Sequence, residues 1–233
     1  MEVPEAGGFA PRYRDYLMEE ITDIQPDIVV RESDFDLSRY PENINYEALT
    51  FMESGRLFHI NLLKHNGISL HASAVEYEGR VYLFSAPSGT GKSTHTGLWQ
   101  KVFGPKAMVI NDDKPALRLV DGTWYAYGTP WCGKGTNINR KAPIAGICFL
   151  KQAKENKIRR LSAAEAVVNI IWQTTKRMDA GLAAKKLELL NKLLQTVPVF
   201  ELENNMALEC VHMSHDNMLQ AAIEAGLPQA LPD

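Results

Sequence analysis

Residues 86–93 read Ala86-Pro-Ser-Gly-Thr-Gly-Lys-Ser93; the apolar run Val81-Tyr-Leu-Phe-Ser85 precedes them, and a helical stretch over 94–103, stopped by Gly104 and Pro105, follows. The order is strand, glycine loop, helix. A loop of small residues lets successive backbone N–H groups converge on polyphosphate oxygens, and the helix behind it adds the positive end of its dipole. Ser88, Gly89, Thr90, Gly91, Lys92, Ser93 and Thr94 are therefore the expected phosphate-binding residues. Lys92 would reach the β and γ phosphates as a point charge, and the Ser93 hydroxyl would hold the bridging Mg²⁺. Position 86 is Ala where the strict pattern has Gly, but Gly89 and Gly91 are in place. A glycine-rich turn with no ligand is the competing reading; the flanking strand and helix favour a nucleotide.

Upstream of the loop, residues 68–77 and 80–85 read as two strands joined by a turn at Glu78-Gly79. Downstream, the short apolar run 107–110 delivers Asn111-Asp112-Asp113 at its carboxyl end. Magnesium held by one hydroxyl usually needs a carboxylate as well, so Ser93, Asp112 and Asp113 form the expected metal set. The bland alternative is a solvated Asp pair at a strand end.

Another strand pair follows at 116–120 and 124–127 with a turn at Asp121-Gly122, then a Gly/Pro-rich loop over 128–135 and an apolar strand at 145–150. Ser162-Ala-Ala-Glu165 is a capping box opening a helix to about residue 178, and Asp179 caps a second to about 195. A strand at 197–203 and a helix over 214–225, closed by Gly226 and Pro228, complete the chain. Before residue 65 the signals are mixed: Asp27-Ile-Val-Val-Arg31 is β-branched, and 57–63 is apolar. This predicts an α/β core over 66–233, a mixed sheet with flanking helices, and a small acidic, strand-containing extension over 1–65. No internal repeat is visible.

With 45% hydrophobic and 23% charged residues over 233 positions, the composition excludes global disorder. The net charge of −3 is uneven: residues 1–50 hold 12 acids against 4 bases, whereas 51–150 hold 6 against 11. An anionic ligand is thus expected in the middle of the chain. No run of 18 apolar residues and no secretory pattern occurs, so the expected location is cytoplasmic, with no membrane partner. Cys132, Cys148 and Cys210 form no C-x-x-C pair and point to neither a disulfide framework nor a zinc knuckle.

Leu70-His-Ala-Ser-Ala74, Ser88-Gly-Thr-Gly-Lys-Ser-Thr94 and Asn111-Asp112-Asp113 together resemble the His, P-loop and Asp-Asp motifs shared by HPr kinase/phosphorylase and ATP-dependent phosphoenolpyruvate carboxykinases. Only 20 residues separate Lys92 from Asp112, a gap similar to this group and unlike most P-loop proteins. The match runs from about His71 to Lys134, extends more weakly to about Gln173, and does not reach the first 55 residues. The resemblance implies a phosphoenolpyruvate-carboxykinase-like P-loop core that uses ATP and Mg²⁺. In the kinase branch it implies that Asp112 accepts the proton of an acceptor serine hydroxyl, with His71 hydrogen-bonded to it. In the carboxykinase branch the corresponding His and Asp are metal ligands. Gly128-Thr-Pro-Trp-Cys-Gly-Lys134 is similar to a carboxykinase segment carrying an active-site lysine, which implies that Lys134 approaches the transferred phosphoryl group.

Phosphoryl transfer asks mainly for positioning, charge neutralisation and a group that orients the nucleophile, so Lys92, Lys134, His71 and Asp112 are the expected catalytic set. Other candidates weigh less. His95 inside the helix is read as structural rather than catalytic, His212 and His215 lack an evident third metal ligand, and Cys132 is read as a structural thiol. Arg140 and Lys141 are read as solvated or substrate-facing, and the basic run 151–160 as a solvated loop, since aromatic interleaving for nucleic acid is missing. The leading expectation is an ATP-dependent kinase acting on a hydroxyl in a peptide, protein or small molecule, a serine first among them. A nucleotide-sensing module without catalysis is the alternative, and a carboxykinase-like lyase stands behind it. Self-association stays open.

Overall fold

The computed structural model describes residues 1, 10–17, 25–133, 138–174 and 178–230. Helix α1 spans Ala10–Tyr13 and α2 Tyr46–Asn61; then come β1 (Gly67–Ser69), β2 (Ala72–Tyr77), β3 (Arg80–Ser85), α3 (Lys92–Phe103), β4 (Met108–Asn111), β5 (Ala116–Val120) and β6 (Thr123–Tyr127). The long β7 (Lys141–Gln152), β8 (Lys157–Arg160), α4 (Ala163–Trp172), α5 (Ala180–Thr196), β9 (Val199–Asn204) and α6 (Glu209–Glu224) follow. The strands form one mixed sheet in the order β1-β5-β6-β7-β3-β2-β4, with β9 on β7 and β8 on β9. Apolar side chains pack on both faces: Phe84, Trp99, Val211 and Met218 join α3 and α6 to one, and Leu83, Ile147, Ile170 and Leu193 join α4 and α5 to the other. Burial on both faces is why β2, β3 and β7 read as nearly continuous apolar runs.

Strand directions decide where the loops fall. β2 is antiparallel to both β3 and β4, so β3 and β4 run the same way and end at the same edge of the sheet. The register sets Ala72 opposite Ser85 and Ala74 opposite Asn111. The start of β2 and the ends of β3 and β4 are thereby brought together. β7 and β9 lie parallel to β3 and to one another, so their following loops open on that edge too.

The expected single strand over 68–77 is two strands. β1 pairs with β5, whereas β2 pairs with β3 and β4, and Leu70 and His71 occupy the crossover between them. The strand content expected before residue 65 is replaced, among the described residues, by short 3-10 turns and by the 16-residue α2. Asn45 caps α2 through a side-chain oxygen that accepts the Ala48 N–H. Residues 157–160, read as solvated loop, are β8 on β9. Buried Glu201 draws the cations of this region onto itself, with Lys151 Nζ at 2.6 Å and Arg159 Nη2 at 3.0 Å. Three helix boundaries also move, α3 starting at Lys92, α4 ending at Trp172 and α6 starting at Glu209, and the strand expected over 145–150 extends to Lys141–Gln152. No helix among the described residues is long and apolar enough to cross a membrane.

The 128–133 loop crosses the end of β4 at close quarters. Ile138 N–H donates to the Ile110 carbonyl at 3.0 Å, and a Cβ on Gly128 would stand 1.9 Å from the Ile138 carbonyl oxygen and 2.8 Å from that of Ile110. Both obstacles are backbone, so Gly128→Ala is expected to destabilise by about 2–3 kcal/mol and lower the melting temperature by roughly 4–12 °C; an unchanged melting temperature would show that the loop relaxes freely.

Acid should weaken the fold at a definite place. His59 is buried on α2, and burial first, then the Lys114 charge, pushes its pKa from 6.5 down to about 3. The unfolded chain takes up a proton near pH 6.5 that the folded ring resists, so this contribution is complete above that pH and falls as pH drops toward 3. By pH 5 the loss is about 2 kcal/mol. Urea midpoints measured from pH 7 to pH 5 should decline, and His59→Phe should flatten the decline; identical slopes would contradict the assignment.

Candidate functional site

The glycine loop joins β3 to α3 at the edge described above. Gly89 and Gly91 both take positive φ, +81° and +108°, which glycine adopts without the penalty other residues meet. Among the described residues nothing lies within 4 Å of a Cβ built on Gly89. Met206, on the β9–α6 connection, reaches over Gly91, and Gln152 Nε2 donates to the Thr90 carbonyl at 3.4 Å.

Lys92, the first residue of α3, is buried, and its Nζ donates to the Ala86 carbonyl and to His71 Nε2, each at 3.1 Å. Burial lowers its pKa from the ordinary lysine value; the Asp113 and Asp112 charges oppose that shift. On its other side His71 Nδ1 lies 2.8 Å from Gln173 Oε1. A carbonyl oxygen can only accept and an ammonium can only donate, so the tautomer with hydrogen on Nδ1 satisfies both contacts. Asp113 Oδ1 stands 3.5 Å from Nε2, in the place where the resemblance implies Asp112.

The three segments are also tied by hydrogen bonds. Ser85 Oγ donates to the His71 carbonyl at 2.8 Å, Ser73 Oγ to the Asp112 carbonyl at 3.2 Å, and Ala72 N–H to the Asp113 carbonyl at 3.0 Å. Asp112 Oδ1 accepts the Gly133 N–H at 2.8 Å, which fixes the 128–133 loop beside the acidic pair. Lys134 lies outside the described residues.

Several residues that hold the site have no role assigned to them by the sequence motifs. Asn111 is fully buried, and its Oδ1 accepts the N–H groups of Asp113 and Lys114 at 3.0 and 2.7 Å while its Nδ2 donates to the Thr129 carbonyl and hydroxyl. Its signal was available: Asn at a strand end followed by two Asp is a turn-forming sequence. Gln173, at the end of α4, carries no local signal. Neither does Arg12, whose Nη1 donates to the carbonyls of Cys132 and Gly133 at 2.9 and 3.3 Å. Beside it, Tyr13 packs edge-on to Trp131 and shares a 3.0 Å hydrogen bond with Ser54. The acidic extension thus grips the loop that abuts Asp112.

The lesser candidates resolve as structural. His95 is buried, 3.3 Å from Ser214 Oγ, and accepts from Trp99 Nε1 at 3.3 Å. His215 lies 2.8 Å from Asp216 within a ring cluster of Tyr77, Tyr82, Trp99 and Phe103. Arg140 forms a two-pronged pair with buried Glu76 at 2.9 and 3.2 Å, and Lys141 lies over Tyr125 and Tyr127. All three cysteines are buried and none is in a disulfide.

The Asn111 turn has a direct test. Asn111→Asp keeps the acceptor for two backbone N–H groups but turns an anionic oxygen toward the Thr129 carbonyl in a fully buried position. The expected cost is about 3 kcal/mol or more in urea unfolding; a midpoint equal to the parent's would mean that the amide donors hold nothing.

No curated protein matches the chain. Among solved structures, the Hpr(Ser) kinase/phosphatase from Coxiella burnetii is similar over 68% of this chain and 97% of its own, at 9% identity and a TM-score of 0.38. The family model described as "SynChlorMet cassette protein ScmC" matches residues 42–209, well over half of the sequence, including α2, the glycine loop, the acidic pair and Gln173. The chain belongs to the SynChlorMet cassette protein ScmC family.

Proposed function

We propose that this chain is an ATP-dependent, magnesium-requiring kinase that transfers the γ-phosphoryl group to a hydroxyl, with a serine in a peptide, protein or small molecule as the leading acceptor. One observation carries the reading. A buried lysine at a helix amino terminus, an imidazole and two carboxylates from three separate segments meet at one sheet edge, and Lys92 Nζ and His71 Nε2 are only 3.1 Å apart.

The donor set suits magnesium. Among the described residues no group of three or more His, Cys, Asp or Glu could hold a metal by itself. Magnesium prefers few protein ligands and completes its shell with water and phosphate oxygens, so Ser93 with Asp112 and Asp113 is sufficient. When bound, it neutralises charge on the β and γ phosphates. The backbone N–H groups of residues 88–94 cradle the phosphates. Lys92 exchanges two uncharged acceptors, the Ala86 carbonyl and His71, for phosphate oxygens, which bind an ammonium more strongly.

The acceptor hydroxyl oxygen bonds to the γ phosphorus while the bond to the β–γ bridging oxygen breaks, and ADP departs with that electron pair. Asp112 takes the hydroxyl proton, its carboxylate oriented by the Gly133 N–H. His71, fixed through Gln173, holds Lys92 in register. Lys134 adds positive charge at the transferred group.

With γ-labelled ATP and magnesium, label should pass to an acceptor, and Asp112→Asn should cut transfer by roughly 10²- to 10⁴-fold while ATP still binds. Transfer that survives in the variant removes Asp112 as the base. ATP binding without transfer across a broad acceptor screen would mean a sensor, and phosphoenolpyruvate formed from oxaloacetate a lyase.

A further inference from the structure

A cavity of about 490 Å³ reaches Asp113, the neighbour in sequence of the proposed base. His71, which contacts Lys92 Nζ, lines it together with Asp113 and Gln173, and so do α2 and the end of α4. The volume lies in the range of small-ligand sites. We infer that this cavity is the acceptor site and that it selects a hydroxyl compound carrying an aromatic ring within about one residue's length of the hydroxyl. The inference rests on the kinase reading for the word acceptor; the choice of an aromatic occupant rests on the cavity alone.

Three aromatic residues form the walls: Phe51 on α2, Trp131 in the loop held by Arg12, and Trp172 at the end of α4, which is 66% exposed. Trp131 already spends its polar edge, donating Nε1 to the Phe51 carbonyl at 3.1 Å, so its interaction with an occupant is through the ring. Gly55 makes this fit, since a Cβ there would stand 2.7 Å from the indole. Offset or edge-to-face contact with such walls favours another ring over an aliphatic or charged group.

His59 supplies the polar selection. It lines the cavity, is 7% exposed, and neither ring nitrogen has a hydrogen-bond partner among the described residues. A buried imidazole left unsatisfied weakens a fold, and such groups persist where a ligand completes them. One nitrogen can donate to a carbonyl and the other accept from an amide or hydroxyl. The cations do not favour an acidic occupant: Arg56 is paired with Glu53, and Lys114 lies 4.0 Å from Asp113.

The test measures binding by NMR with the full chain and no nucleotide, using three probes: N-acetyl-Ser-Phe-amide, N-acetyl-Ser-Asp-amide and 2-phenylethanol. The Phe peptide should bind at least ten-fold tighter than the Asp peptide. Met52→Trp, at a 62% exposed position of the rim, should reduce its affinity ten-fold or more by filling the cavity. His59→Phe should lose affinity similarly while its melting temperature stays equal or rises, which a merely structural histidine would not do. Tighter binding of the peptide than of phenylethanol points to a peptide acceptor, and the reverse to a small aromatic alcohol; either supports the aromatic site. Equal affinity for both peptides, preference for the Asp peptide, or indifference to Met52→Trp overturns it. Tight aromatic binding with no label transferred from ATP would sink the kinase reading and leave the cavity assignment standing.

Discussion

A lysine ammonium held away from water is the constraint around which the rest of this structure is arranged. Lys92 Nζ has a main-chain carbonyl and an imidazole nitrogen within 3.1 Å, and the carboxylates of Asp112 and Asp113 act on it from nearby. Such a group is tolerable only when several partners converge on it. Convergence comes from direction: β2 runs against the strands on both sides, so its first residues meet the last residues of two others. Hydrogen bonds from Ser85, Ser73 and Ala72 then fasten the three segments at the point of meeting.

The acidic extension has a physical role in this arrangement. Arg12 and Tyr13 hold the loop bearing Cys132 and Gly133, and Gly133 in turn orients Asp112. Helix α2 carries Phe51, Gly55 and His59 to the wall of the cavity that ends at Asp113. A part of the chain that lies well before the glycine loop in sequence therefore borders the same chemistry in space.

The core of the site was legible because its signals are local. A glycine loop between an apolar strand and a helix, and paired acids after a short buried run, each announce themselves within ten residues. What could not be read was long-range. Gln173 meets His71 across 102 positions and Arg12 meets Cys132 across 120, and neither periodicity nor turn chemistry encodes such pairings. The split at Leu70 and His71 was hidden for a related reason: both halves are buried and apolar, and only their different partners, β5 and β3, separate them. In α2 the apolar and polar positions do not segregate into a clean stripe, with buried Thr50, Ser54 and Gly55 facing inward, so its helical period is obscured and only the apolar segment 57–63 stands out in the sequence. At 157–160 the charges suggested solvent, yet a buried glutamate opposite them made an edge strand stable.

The central claim is that a triphosphate belongs at this edge, between the glycine loop and the acidic pair. A crystal structure with magnesium and a non-hydrolysable ATP analogue tests it most directly. The account predicts β and γ phosphates against the N–H groups of residues 89–93, Lys92 Nζ moved from His71 onto a phosphate oxygen, and the metal touching Ser93 and one of the two aspartates. Nucleotide bound elsewhere, or at the loop with Lys92 still on Ala86 and His71 and no metal near Asp112 or Asp113, would contradict it.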